Sequence, residues 1–273
     1  MNFFTAKDGT KLYVKDWGSG PPVILLHGWP LSSDSWDDQA LALANAGYRT
    51  IAYDRRGFGR SAQPWSGYDY DTLADDLAAV IEHTGVQEAT VAGFSMGGGE
   101  VARYMSRHGG KGISKAVLVS SVVPYMLKTK DNSEGVDQSV FDGMTKSMKE
   151  DRAKFFSGFF KDFYGVGMMS HPTSDEVVQW SCNVAMQASL KATLECASSF
   201  ATTDFRPDMA AFRVPTLVIH GTDDKTVPID ATGRPAAIGI ANASLIEYDG
   251  AAHGLQATHK DQLSRDLIDF VRR

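Results

Sequence analysis

The chain of 273 residues predicts an α/β protein: a mostly parallel, doubly wound sheet carrying one helical insertion. Three observations support this. Short β-branched or wholly apolar runs near residues 21–26, 48–53, 90–93 and 115–120 alternate with helix-like stretches, and such alternation implies right-handed crossovers and parallel strands. The alternation stops from about residue 124 to 207, where Met and Phe recur at helical spacing, and resumes at 214–221 and 244–248. A hydrophobic content of 43% over this length suits one large core rather than two. The expected organisation is a core of residues 1–123 and 208–273 with a helical lid, 124–207, inserted in it.

Two short β-rich runs flank Asp8-Gly9, a strong hairpin signal, and predict an antiparallel edge. Pro21-Pro-Val-Ile-Leu-Leu26 is too short for a helix and apolar throughout, as strands buried on both faces are; it ends at His27-Gly28-Trp29-Pro30. A helix is expected through Trp36 to Ala46, then a strand closing on Asp54-Arg-Arg-Gly57-Phe-Gly59-Arg-Ser61. Tyr70, Leu73, Leu77, Val80 and Ile81 repeat at three and four, which places a helix over 69–83. Residues 88–103 follow, with Thr90 and Val91 leading into Gly93-Phe94-Ser95-Met96-Gly97 and a helical pattern of Val101, Tyr104 and Met105 behind. Gly-x-Ser-x-Gly between a strand and a helix is a nucleophile elbow, since a turn that sharp leaves no room for a Cβ on either side of the serine. The bare pattern is weak, so its setting carries the inference.

In the insertion, Val140, Met144, Met148, Phe155, Phe156, Phe159, Phe160 and Phe163 form an apolar stripe. Such stripes are more often core than pocket. An inserted segment must nevertheless rest its apolar face on something, and the open top of the sheet lies next to both of its ends, so the stripe is expected to roof Ser95. A last amphipathic helix carries Leu263, Leu267, Ile268 and Phe270.

Composition excludes several classes. A net charge of -6 with no basic cluster argues against nucleic acid and anionic membrane surfaces, leaving a small neutral or weakly polar molecule as the expected partner. No apolar stretch approaches 18 residues, and the start lacks a basic segment followed by an apolar run and cleavage site, so a cytoplasmic protein is expected. Cys182 and Cys196 are too few for a disulfide framework or a cysteine zinc site and read as buried free thiols. Gly57-Phe-Gly59 lacks the third glycine of a dinucleotide fingerprint, and Gly97 to Gly99 lacks the Lys-Ser/Thr of a phosphate loop. Asp54 and the arginines after it are expected to brace loops. The sequence leaves a homo-oligomer open.

A serine needs a base to take its proton and a carboxylate to hold that base, and functional groups of a doubly wound sheet stand where strands end at their carboxyl edge. His253 follows the last strand in Asp249-Gly-Ala-Ala-His253-Gly254, a loop of small residues able to project an imidazole. His83, His108, His171 and His259 fall in expected helices or helix ends, and His27 and His220 read as backbone organisers. The preceding strand ends in His220-Gly221-Thr222-Asp223-Asp224, whose two acids are equal candidates on spacing alone. The chain order Ser95, Asp224 or Asp223, His253 is that of the α/β-hydrolase fold. Charge developing on an attacked carbonyl would be met by the Met96 amide at the helix start and by the Trp29 amide in the loop after Leu26.

His27-Gly-Trp-Pro30, Tyr53-Asp-Arg-Arg-Gly-Phe-Gly-Arg-Ser61, Gly93-Phe-Ser-Met-Gly-Gly-Gly99, His220-Gly-x-x-Asp224-x-x-Val-Pro228 and His253-Gly together resemble the cofactor-free haloperoxidases and aryl esterases of the α/β-hydrolase superfamily, over essentially the whole chain. The resemblance implies Asp224 as the triad acid, an oxyanion hole from the Trp29 and Met96 backbone, and an acyl pocket lined by Val122, Met126 and lid aromatics such as Phe141 and Phe159. Thr226 and Ile229 match pocket positions that vary between members. Implied activities are hydrolysis of small aryl and alkyl esters, of some lactams, and perhydrolysis, in which hydrogen peroxide takes the acyl group and the peracid oxidises halide in solution, with neither metal nor haem. Members named as haloperoxidases commonly carry Pro at the position of Pro30, which fixes Trp29 in an extended conformation and so implies perhydrolase activity. Competing expectations are a γ-lactam hydrolase and a hydrolase-fold small-molecule receptor with little turnover.

Overall fold

The computed structural model describes residues 2–273. Eight strands, β1 (Phe3–Thr5), β2 (Lys11–Trp17), β3 (Pro22–Leu26), β4 (Arg49–Asp54), β5 (Ala89–Phe94), β6 (Ile113–Val119), β7 (Thr216–Gly221) and β8 (Ala243–Tyr248), form one sheet in the order β1-β2-β4-β3-β5-β6-β7-β8. Pairing is antiparallel for β1 with β2 and β2 with β4, and parallel from β4 onward. The hairpin turn stands at Asp8-Gly9, with Gly9 at φ 89°. Every residue of β5 and β7 is buried, which is why these strands read as continuous apolar runs.

The helices of the core are α1 (Asp37–Asn45), α2 (Tyr70–Thr84), α3 (Met96–Arg107), α8 (Gly233–Gly239), α9 (Leu255–Thr258) and α10 (Lys260–Arg272). Asp69 caps α2 by accepting from Thr72 N, and Gly85 ends it in the left-handed region. The helix expected from Trp36 begins instead with a 3₁₀ turn, Ser33–Trp36, capped by Ser32, and only then becomes α1. Two short helices escape sequence reading: α8 contains Gly and Pro, poor helix formers, and α9 is too short to show a period.

Between β6 and β7 run α4 (Gln138–Tyr164), α5 (Asp175–Gln187), α6 (Leu190–Thr202) and α7 (Arg206–Met209). Helix α4 is broken at Asp151 (φ -156°, ψ 90°), whose carboxylate accepts from Lys154 N and caps the second half. The Phe stripe divides its labour: Phe156, Phe160 and Phe163 are core, while Phe155 and Phe159 are only partly buried. His171 lies in the loop between α4 and α5 rather than at a helix end, because Pro172 disfavours helical backbone before it and Ser174 starts α5. Cys196 is buried as expected, but Cys182 is half-buried, since α5 turns that side partly outward.

Charged residues after β4 tie the hairpin to the body. Arg56 donates to Asp76 on α2 from both Nε and Nη2 at 2.6 Å, and to Asp8 in the hairpin turn at 2.7 Å. Asp76 is 3% exposed and Asp8 48%. Removing one member of a buried pair strands the other charge, which costs about 3–5 kcal/mol, whereas exposed pairs contribute under about 1 kcal/mol. Asp76→Ala is therefore expected to destabilise by several times as much as Asp8→Ala, measured by urea unfolding at pH 7.

Candidate active site

The carboxyl edge of the sheet collects the candidate residues. Ser95 sits between β5 and α3 with φ 53° and ψ -118°, a backbone conformation rare for a residue bearing a Cβ. The neighbouring glycines permit it. A Cβ on Gly93 would run into the carbonyl of Gly97, and one on Gly97 would stand 2.6 Å from Leu26 O. The loop after β3 presses equally hard, since a Cβ on Gly28 would lie 2.6 Å from the ring of Phe94.

His253, in the loop after β8, and Asp224, after β7, are both buried, and His253 Nδ1 stands 2.6 Å from Asp224 Oδ2. The other carboxylate oxygen accepts from the amides of Thr226 at 3.0 Å and Val227 at 2.8 Å. Burial would push the Asp224 carboxyl up, but the imidazoles of His253 and His220, through charge and hydrogen bonding, hold it well below the usual carboxylate range. Asp223, the equal candidate on spacing, points away: its side chain is exposed beside Lys225. The imidazole of His253 packs against the rings of Phe94, at 4.9 Å, and Phe163, at 4.8 Å, and its Nε2 is buried without a hydrogen-bond partner among the described residues. With that Nε2 unpartnered, no hydrogen bond joins it to Ser95 Oγ in this structure. Apo sites often tighten such contacts only when substrate binds.

Trp29 and Met96 are both buried, and Met96 is the first residue of α3, where a helix leaves its amides unpaired. The Trp29 indole donates to Thr193 O on α6 at 3.0 Å and packs on Phe155, Phe156, Phe159 and Phe200. The residue before Pro30 is thus held by the insertion as well as by the sheet.

A cavity of about 790 Å³ opens at Ser95. Of the expected residues it is lined by Trp29, Val122, Phe141, Phe159 and Thr226. Pro30, Met126 and Ile229 are not among its lining residues. Met126 and Ile229 are buried, and a neighbour takes the position each was expected to fill: Val136, whose amide donates to Met126 O, and Val227, two residues before Ile229, face the cavity. Phe155 of the expected stripe also lines it, whereas the sequence reading missed Phe200 and the polar wall residues Glu150, Asp151 and Lys154 at the α4 break; no periodic signal marks such a break in advance.

Beneath the loop after β3, His27 and Arg55 brace the backbone as expected, together with a residue the sequence reading missed, Glu100. Arg55 forms a buried ion pair with Glu100 of α3, and its Nη2 donates to His27 O at 2.6 Å. The Arg55 amide donates to His27 Nε2 at 2.9 Å, and His27 Nδ1 lies 2.9 Å from Gly28 O. A lone carboxylate among glycines and apolar residues in 97–105 is the signal that would have pointed to Glu100. Burial, reinforced by Arg55, depresses His27 to about 3. Nε2 accepts a hydrogen bond and so carries no proton in the fold. The unfolded chain takes up that proton below about pH 6.5 and the folded one does not until about pH 3, so stability is lost as pH falls through this window. Urea unfolding between pH 6.5 and 4 is expected to show a loss of about 1 kcal/mol per pH unit, and His27→Gln is expected to flatten that slope.

Residues 21–260 match the α/β hydrolase fold family. The chain is 44% identical over 272 residues to a non-heme haloperoxidase of Rhodococcus erythropolis, covering 99% of both chains. It is 40% identical over 275 residues to a bifunctional esterase/perhydrolase of Acinetobacter calcoaceticus, covering 100% of each. Among solved structures, the bromoperoxidase of Bacillus anthracis superposes with a TM-score of 0.95 at 41% identity, covering 99% of this chain and 100% of that one. With the fold, the elbow and full-length similarity in agreement, the chain belongs to the α/β-hydrolase family and, within it, to the non-heme haloperoxidases and aryl esterases.

Proposed function

We propose that the protein is a serine hydrolase of small aryl and alkyl carboxylic esters that also transfers the acyl group to hydrogen peroxide. Ser95 Oγ attacks the ester carbonyl while His253 Nε2 takes its proton, and Asp224 holds the imidazole in the tautomer that presents a bare Nε2. The Trp29 and Met96 amides receive the oxyanion; such a donor lowers the barrier by about 2.7–4 kcal/mol. The alcohol leaves with the proton from His253. Water or peroxide, deprotonated by the same imidazole, then releases acid or peracid and frees Ser95 Oγ.

The observation that carries this reading is the buried Asp224–His253 pair, at 2.6 Å, with a partnerless Nε2, its ring against Phe94 of an elbow that holds Ser95 at φ 53°. The cavity volume of about 790 Å³ suits an ester of medium size, within the range usual for small-molecule sites of about 300–1,000 Å³. Relatives named as esterase, perhydrolase and haloperoxidase support the choice between water and peroxide as acceptors.

Ser95→Ala is expected to lower turnover of a small aryl acetate at least about 10³-fold with an unchanged melting temperature; near-normal activity would overturn the assignment. Pro30→Leu is expected to reduce peroxide-dependent bromination relative to ester hydrolysis, and an unchanged ratio of the two rates in parallel assays would separate Pro30 from the choice of acceptor.

A further inference from the structure

His220, the last histidine before the acid, does more in space than close a strand. It is fully buried at the end of β7. Its Nε2 lies 2.8 Å from Val227 O, an atom that can only accept, so Nε2 carries a proton. The same Nε2 lies 3.3 Å from Asp224 Oδ2, the oxygen that holds His253 Nδ1. Its other nitrogen, Nδ1, has no partner among the described residues, so nothing competes for the ring from that side. Gly233 at the start of α8 leaves the space the ring needs: a Cβ there would stand 2.6 Å from Nδ1.

We propose that His220 is a positioning residue for the acid, its Nε2–H shared between Val227 O and Asp224 Oδ2 so that the carboxylate oxygen facing His253 keeps one orientation. The proposal rests on the triad reading above. The Asp224 carboxylate then has donors on both oxygens: two amides on Oδ1, and two imidazoles on Oδ2. The amides alone leave rotation about the bond to the carboxyl group resisted from one side only. A fixed second donor on Oδ2 resists it from the other, and an imidazole held between a strand end and a glycine has no freedom to follow.

The test uses the full-length enzyme with His220→Phe, His220→Gln and Gly233→Ala. Gln keeps an N–H able to reach Val227 O and Asp224; Phe keeps the ring volume without the donor; the alanine methyl displaces the ring while leaving its donor. His220→Phe is expected to lower kcat on a small aryl acetate about tenfold with KM within about twofold, to shift the low-field proton resonance of His253 Nδ1, and to be restored to within about threefold by His220→Gln. Gly233→Ala is expected to shift the same resonance. A His220→Phe enzyme with kcat within about twofold of the parent, or one whose loss leaves the resonance unmoved and is not restored by Gln, would overturn the proposal. If His220→Phe does not fold, Gly233→Ala decides: a moved resonance supports the proposal and an unmoved one ends it. The resonance is read without turnover, so failure here is distinct from failure of the triad reading, which an active Ser95→Ala enzyme would reveal.

Discussion

The backbone of Ser95 is the constraint on which the active edge of this protein depends. A residue with a Cβ held at φ 53° and ψ -118° stores about 1–3 kcal/mol of strain, and it stays there only because its surroundings allow no relaxation. Its amide donates to Val119 O at the end of β6, and its carbonyl accepts from Gly98 and Val122. The loop after β3 closes the third side, with Gly28 against the Phe94 ring and Gly97 against the Leu26 carbonyl. Three strands and a helix start thus meet on one residue. The hydroxyl is presented by the packing of the sheet edge rather than by any single hydrogen bond.

Buried charge does the work of fixing the loops around that point. Asp54, fully buried, accepts from Ser33 by both amide and hydroxyl and from Arg60, so the turn after β4 and the 3₁₀ turn that precedes α1 share one carboxylate. Arg55 spans from Glu100 on the elbow helix to His27 on the β3 loop. Pairs of this kind are weak evidence for stability, because desolvation offsets much of the attraction. Their effect here is geometric: they join the two elements that carry the proposed oxyanion amides, and hydrophobic contacts of equal volume would leave the loop free to slide.

Much of this was legible in the sequence, for physical reasons that differ by element. Strands buried on both faces cannot hide their composition, so 21–26 and 214–221 read clearly. The elbow read clearly because two close contacts forbid every residue but glycine at Gly93 and Gly97. The choice between Asp223 and Asp224 did not, since neighbouring residues on a turn differ in direction and spacing carries no direction; only the resemblance to known hydrolases broke that tie. The cavity wall was legible in part. Phe141 and Phe159 face it, but Met126 and Ile229 give way to Val136 and Val227, which turn geometry decides. The Arg55–Glu100 pair was invisible because its partners lie 45 positions apart and meet only through the sheet.

The division of the Phe stripe has a consequence for how substrate recognition and chemistry are joined. Phe156, Phe160 and Phe163 anchor α4 in the core, leaving Phe155 and Phe159 to meet both the cavity and the Trp29 ring. Trp29 is also tied by its indole nitrogen to Thr193 O. The residue whose amide is proposed to receive the oxyanion is therefore held from the sheet by Gly28 and from the insertion by its own side chain. A change in the lid that only reshaped the cavity would alter binding alone. A change that let the Trp29 ring move would also shift its amide, and since oxyanion stabilisation falls off steeply with donor position, the proposed role of that amide would make the rate, and not only the shape of the site, depend on the insertion.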